Sequence, residues 1–124
     1  MKIMITSSNG NIEGQFSPRF GRCAYFIGID TDSRAWEAFP NPAAGTQGGA
    51  GPQAVQFIAN QGIEAVVSGR FGPNAYSALE AAGIQAFIAS QGSVDEVLEK
   101  FLSGELDQVS TATGPELHGG GRHG

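Results

Sequence analysis

Residues 51–69, GPQAVQFIANQGIEAVVSG, align without a gap on residues 72–90, GPNAYSALEAAGIQAFIAS. Each copy opens with Gly-Pro and carries a second glycine at an equivalent position, Gly62 or Gly83. Proline favours the first helical position and glycine the position just past a helix, so each copy predicts one helix. A short apolar strand follows each helix, at Ala65–Val67 and at Ala86–Ile88. Two helix–strand units in succession predict parallel strands covered by helices.

A third helix follows at the same interval. Ser93 and Glu96 form a capping-box pattern at its start. Apolar residues then fall at positions 94, 97, 98 and 101, which is the spacing of one helical face. The predicted helix starts are therefore Gly51, Gly72 and Ser93.

The first half of the chain predicts three strands. Lys2–Thr6 is a short β-branched run, and Ala24–Asp30 with Ala35–Phe39 predicts a hairpin. We therefore expect one α/β domain, residues 1–106, with a mixed five-stranded sheet and three helices. Residues 107–124, which contain glycine and histidine, are expected to form a flexible tail.

Composition narrows the class of ligand. The formal net charge is −5 and the isoelectric point is about 4.8, which argues against binding to nucleic acid or to an anionic membrane. No stretch approaches the roughly 20 apolar residues that cross a bilayer. Cys23 is the single cysteine, so the chain has no internal disulfide. The expected location is the cytoplasm.

The functional edge is predicted from the sheet itself. In open α/β sheets, ligands bind beyond the carboxyl ends of the parallel strands, where helix starts offer free N–H groups to an anion. That edge would carry the loops at residues 7–22, 68–72 and 89–93. Three of the seven basic residues, Arg19, Arg22 and Arg70, fall in these loops. An acidic protein with its arginines gathered there predicts a small anionic ligand.

Other chemistries find less support. The segment Gly49–Ala54 matches a dinucleotide fingerprint loosely, but it follows a long loop rather than a strand, and no Walker sequence is present. His118 and His123 lie in the tail, and Asp30 and Asp32 fit an ordinary hairpin turn. No Gly-x-Ser-x-Gly elbow occurs. We therefore predict no catalytic residue.

Cys23 leaves two alternatives open. It follows the loop that contains Arg19 and Arg22, so it could face the site and bind a soft metal with a lowered pKa. A buried, inert thiol is the commoner outcome for a lone cysteine.

Three sets of segments resemble the dinitrogenase iron–molybdenum cofactor biosynthesis family. They are Ser17–Arg22 followed by Ala24–Asp30, then Gly49–Gln53, then Gly69–Ala75 followed by Ala81–Ile84. The resemblance covers about residues 1–106. It implies a ribonuclease H-like fold and a non-catalytic carrier or assembly role for metal–sulfur clusters of nitrogenase. A related group, the orange proteins, holds a molybdenum–copper–sulfide cluster without conventional covalent ligands.

On this resemblance the expected ligand is a molybdenum- or iron-containing sulfide cluster, with Mo–Cu–S among the candidates. Cofactor-assembly or redox proteins are the expected partners. The arginines would supply charge, Phe20 and Phe71 apolar walls, and Cys23 a metal ligand. The predicted cofactor-binding residues are Arg19, Phe20, Gly21, Arg22, Gly48, Gly49, Gly51, Gly69, Arg70, Phe71, Gly72, Asn74, Gly92 and Ser93.

One position departs from the family pattern. Many relatives place a histidine where this chain has Gly48, so any contact that the histidine makes must be replaced or lost here. The alternative function is a regulatory or protein-interaction module that binds a partner, or a small anionic metabolite, with the same loops.

Overall fold

The computed structural model describes residues 1–45 and 49–109. Within them the chain forms a mixed α/β domain of six strands and three helices. In chain order the elements are β1 (Lys2–Ser7), β2 (Tyr25–Asp30), β3 (Trp36–Pro40), α1 (Ala50–Asn60), β4 (Ala65–Ser68), α2 (Pro73–Ala82), β5 (Gln85–Ile88), α3 (Val94–Leu102) and β6 (Asp107–Gln108).

The strands form one mixed sheet in the order β3-β2-β1-β4-β5-β6. β4 lies between β1 and β5 and is parallel to both, with Ile3 opposite Ala65 and Val66 opposite Ala86. β2 is antiparallel to both β1 and β3, which confirms the predicted hairpin. The carboxyl ends of β1, β4 and β5 therefore share one edge of the sheet, called the loop edge below.

The predicted count of five strands is wrong, because β6 adds a sixth. Asp107 pairs with Ile88 and Gln108 with Phe87, and the Val109 N–H donates to the Ala86 carbonyl over 2.8 Å. Two polar residues carry no hydrophobic alternation, so the sequence offered no strand signal there. The start of the segment predicted as a tail thus belongs to the sheet, while residues 110–124, with both histidines, lie outside the described residues.

Two apolar layers fix the helices on opposite faces of the sheet. α1 and α2 pack on the face that includes Met4 and Val66. α3 packs on the other face, over Ile3, Ile5 and Val67. Helix starts that look equivalent in the sequence therefore reach the loop edge from two different sides.

The predicted helix boundaries are confirmed to within about one residue. α1 begins at Ala50, and Gly72 and Ser93 are the N-caps of α2 and α3. Gly83 ends α2 with φ of 74°, the left-handed conformation that a glycine adopts without strain.

Candidate functional site

The loop Ser17–Arg22, called the arginine loop below, is tied to the ends of two strands. The Ser17 N–H donates to the Thr6 carbonyl over 3.0 Å, and the Thr6 hydroxyl donates back to the Ser17 carbonyl. Thr6 Oγ1 also lies 3.0 Å from Ser68 Oγ at the end of β4. Thr6, Ser17 and Ser68 are all buried. These bonds hold the loop at the loop edge, where the sequence predicted it.

A second contact joins the arginine loop to the segment that follows β4. Arg19 and Arg70 form an isolated parallel β-bridge through their backbones. Beside it, Gly69 lies so close to Pro18 that a Cβ on Gly69 would be 2.5 Å from Pro18 Cβ and 2.8 Å from its carbonyl oxygen. Gly69 is therefore a position where backbone approach requires glycine.

Gly69→Ala is expected to destabilise the domain by about 1–3 kcal/mol, because the added methyl group must push Pro18 away. Urea unfolding followed by circular dichroism measures this loss. Gly45→Ala is the matched control, since a Cβ there meets nothing within 4 Å. Equal stability of the two variants would show that the Gly69–Pro18 contact is not tight.

The start of α1 lies between the arginine loop and the start of α2. A Cβ on Gly21 would be 3.1 Å from the Gly51 nitrogen, and a Cβ on Gly51 would be 2.8 Å from Ala75 Cβ. Glycine at both positions thus lets three backbone segments meet without side chains between them.

These segments enclose an open cleft of about 600 Å³. It brings together nine of the predicted residues, and four others, Ala50, Pro52, Pro73 and Ala75, complete its lining. The predicted residues that line it are Arg19, Phe20, Gly21, Arg22, Gly49, Gly51, Arg70, Gly72 and Asn74.

The cleft is positively charged in a protein that is acidic overall. Among the described residues, its lining contains three arginines and no carboxylate. Within residues 1–45 and 49–109 the ion pairs join the amino terminus to Asp32 and Arg34 to Glu99, and neither involves Arg19 or Arg70. Both side chains are exposed at the mouth of the cleft. The charge of Arg19 and Arg70 is thus available to an anionic ligand.

The starts of α1 and α2 supply backbone N–H donors beside the arginines. No side chain caps α1 or α2, and neither has an acidic residue in its first turn. The first N–H groups of a helix have no intrahelical partner and sit at the positive end of its dipole, where an anion gains about 0.3–1 kcal/mol. Pro52 and Pro73 remove one donor from each helix. The first-turn residues that keep an N–H are Ala50, Gly51, Asn74 and Ala75.

The predicted aromatic walls lie deeper than expected. Phe20 lines the cleft but is only 2% exposed, while Phe71 is fully buried and does not line it. Their ring centroids are 5.1 Å apart, and Phe20 also lies 5.8 Å from Phe26. The two rings therefore support the cleft from below, which corrects the prediction that Phe71 forms part of its wall.

Gly92 and Ser93 lie away from the cleft, in a separate open groove. The Gly92 carbonyl accepts from the Phe16 N–H at 3.0 Å, and Ser93 caps α3 in a complete capping box with Glu96. The groove beside them is acidic, with Glu13, Glu96, Glu99 and Glu105 in its lining. A helix start that is already capped and surrounded by carboxylates does not favour an anion. Gly48, also predicted for the site, lies outside the described residues.

Comparison with known proteins shows the family to which the chain belongs. Residues 1–104 match the model of the family described as dinitrogenase iron-molybdenum cofactor. The chain belongs to this family. An uncharacterised protein of Methanocaldococcus jannaschii is 32% identical over 111 residues, which are 87% of this chain and 91% of the relative.

Two solved structures share the fold closely. The apo form of the orange protein from Desulfovibrio gigas superimposes with a TM-score of 0.88 at 31% identity, covering 91% of this chain and 96% of that one. A NifB-like protein from Thermotoga, of the DUF35 family, superimposes with a TM-score of 0.81 at 32% identity, covering 92% and 97%.

Cys23 directly follows the arginine loop in the sequence and does not line the cleft. It is 2% exposed, and its thiol donates to the Phe20 carbonyl over 3.4 Å. Burial raises the pKa of the thiol to about 12. Hydrogen bonds from the Ser7 backbone, its own backbone and the Asn41 side chain lower the pKa by a smaller amount. The arginines do not lower it as the metal-ligand alternative required. The geometry favours the buried, inert thiol.

Cys23 is expected to resist alkylation by iodoacetamide at about pH 8 while the protein is folded, because the thiolate is the nucleophile. Mass spectrometry of the labelled chain measures the reaction, and the unfolded chain in guanidinium is the control that should label fully. Labelling at the same rate in both states would contradict the buried position.

Among the described residues, no three histidine, cysteine, aspartate or glutamate side chains gather closely enough to hold a metal ion. Nor does any helix in that part of the chain have the length and apolar character needed to span a membrane.

The sequence analysis missed the buried polar residues that hold the arginine loop in place. Thr6 and Ser68 are polar residues at the ends of apolar strands, which is a signal that could have found them. Asn41 had no comparable signal, since it lies in a stretch rich in proline, alanine and glycine that predicts only a long connection.

Proposed function

We propose that this chain is a non-catalytic binding, carrier or assembly protein for an anionic metal–sulfide cluster that contains molybdenum, iron or both. The observation that carries the proposal is the cleft itself. In the part of the chain that the structure describes, three arginines and two helix starts without a side-chain cap line it, and no carboxylate does. Such a surface suits a polyanion held by charge and N–H groups.

The size and openness of the cleft fit an inorganic cluster that enters and leaves whole. A volume of about 600 Å³ lies within the range of small-molecule sites. Its polar groups include guanidinium and backbone N–H donors, which can contact sulfide or oxide ligands of a cluster without displacing them. A molybdenum–copper–sulfide cluster is one candidate, supported by the similarity to the orange protein.

Family membership supports a proposal about the process in which the protein takes part. It favours a place in iron–molybdenum cofactor biosynthesis and nitrogen fixation. We infer that cofactor-assembly or redox proteins are the partners, and that the protein works in the cytoplasm. The ribonuclease H-like assignment is part of the same proposal, supported by a sheet with β1 at its centre and β2 reversed beside it.

Anaerobic reconstitution tests the proposed function. The purified chain is mixed with tetrathiomolybdate alone, with copper or with iron, and passed over a gel-filtration column. Molybdenum that co-elutes at a fixed ratio, with a charge-transfer band in the visible spectrum, is the expected result. A colourless, metal-free protein peak under all three conditions would overturn the proposal and favour an interaction module.

A further inference from the structure

We propose that Asn41 is a positioning residue for the cleft, one that fixes the arginine loop against the turn that follows β3. This inference rests on the proposed function. The Asn41 side-chain amide donates to the Cys23 carbonyl over 2.9 Å and to the Gly21 carbonyl over 3.2 Å. Its Oδ1 accepts from the Ala43 N–H at 2.9 Å. Both ends of one carboxamide are therefore engaged, each with a different segment.

Asn41 supports the cleft from a buried position outside its lining. The residue is 6% exposed and does not line the cleft. Its own N–H donates to the Ala24 carbonyl over 2.9 Å, which continues the pairing of β2 and β3 past the end of β3. The strand pairing thus fixes the backbone of Asn41, and the side chain reaches from it to the arginine loop.

Asn41 contacts only the end of the arginine loop that contains Gly21 and Arg22. On that side, Gly21 lies between Asn41 and Gly51, and it is followed directly by Arg22. On the other side, Arg19 is held through its backbone bridge to Arg70, and Ser17 through Thr6. Loss of the Asn41 side chain should therefore loosen Gly21 and Arg22 and leave Arg19 and Arg70 in place.

The test uses Asn41→Ala in the full chain with tetrathiomolybdate as the probe. The dissociation constant is expected to rise by about fivefold to tenfold, because the Gly21 and Cys23 carbonyls lose the Asn41 donor and the backbone on both sides of Arg22 is held less tightly. Leu98→Ala is the control. It removes a buried side chain from the α3 face and should lower the thermal midpoint without changing the dissociation constant.

Double-mutant cycles distinguish positioning from general destabilisation. Combined with Arg22→Ala, the effect of Asn41→Ala on binding should be clearly less than multiplicative, since the two changes remove the same contribution. Combined with Arg70→Ala, the effects should multiply. Multiplicative effects in both cycles, or an unchanged dissociation constant in Asn41→Ala, would overturn the inference.

Hydrogen exchange of the ligand-free protein separates this inference from the proposed function. Amides of residues 21–23 should exchange faster in Asn41→Ala, and those of residues 69–71 should not. That result supports positioning by Asn41 even if the wild-type chain binds no tetrathiomolybdate, which would count against the proposed function alone. Equal acceleration in both segments, or none in residues 21–23, would contradict the inference.

Discussion

Arg70→Ala is expected to weaken tetrathiomolybdate binding at least about tenfold, since a hydrogen bond to a charged group contributes roughly 1.5–3 kcal/mol and 1.4 kcal/mol is a factor of ten. The side chain is exposed at the mouth of the cleft and forms no ion pair with the described residues. Its backbone bridge to Arg19 survives the substitution. The fold should therefore stay intact while a positive charge leaves the site.

Lys100→Ala is the matched control for this variant. It changes the net charge by the same amount, but Lys100 is in the last turn of α3 and lines the acidic groove, not the cleft. Isothermal titration at low and at moderate ionic strength measures both variants, and the difference between them should shrink as salt screens the charge. Equal weakening in both would show that net charge, and not the cleft, governs binding.

Phe71→Ala is expected to lower the free energy of unfolding by about 3–5 kcal/mol, the usual cost of removing a buried aromatic ring. Phe71 is fully buried and lies directly between Arg70 and Gly72. Its ring packs against that of Phe20, which lies in the arginine loop. The cavity would therefore form under the site, and anion binding should weaken along with stability.

Trp36→Ala provides the comparison for Phe71→Ala. Trp36 is also a large aromatic residue, but it is 43% exposed on the edge strand β3. Denaturant unfolding of both variants should give a loss for Trp36→Ala of less than half that for Phe71→Ala. Similar losses would mean that the ring of Phe71 supports the cleft far less than its burial indicates.

The repeat in the sequence predicted the central part of the fold, because proline and glycine mark helix ends by their backbone geometry. Gly72 caps α2 where expected, and Gly83 ends it in the left-handed conformation. The capping box of Ser93 and Glu96 is also confirmed. β6 was missed because two residues are too few to show a period, and their pairing with β5 depends on the folded sheet.

The site was predicted in part, and the physical reason is topological. Loops that follow parallel strands meet at one edge, so Arg19 and Arg70 could be placed together from sequence order alone. The sequence could not show that α3 packs on the opposite face from α1 and α2, and Gly92 and Ser93 were therefore grouped with the wrong cleft. The burial of Phe71 could not be predicted either, since this residue has the same neighbours in the sequence whether it faces solvent or the core.

A titration of the isotope-labelled protein with tetrathiomolybdate, followed by amide chemical shifts, tests the central claim most directly. We expect the largest shifts on the amides at the starts of α1 and α2 and in the arginine loop, with little change around Gly92 and Ser93. Shifts confined to the α3 groove, or no shifts at concentrations of probe well above that of the protein, would contradict it.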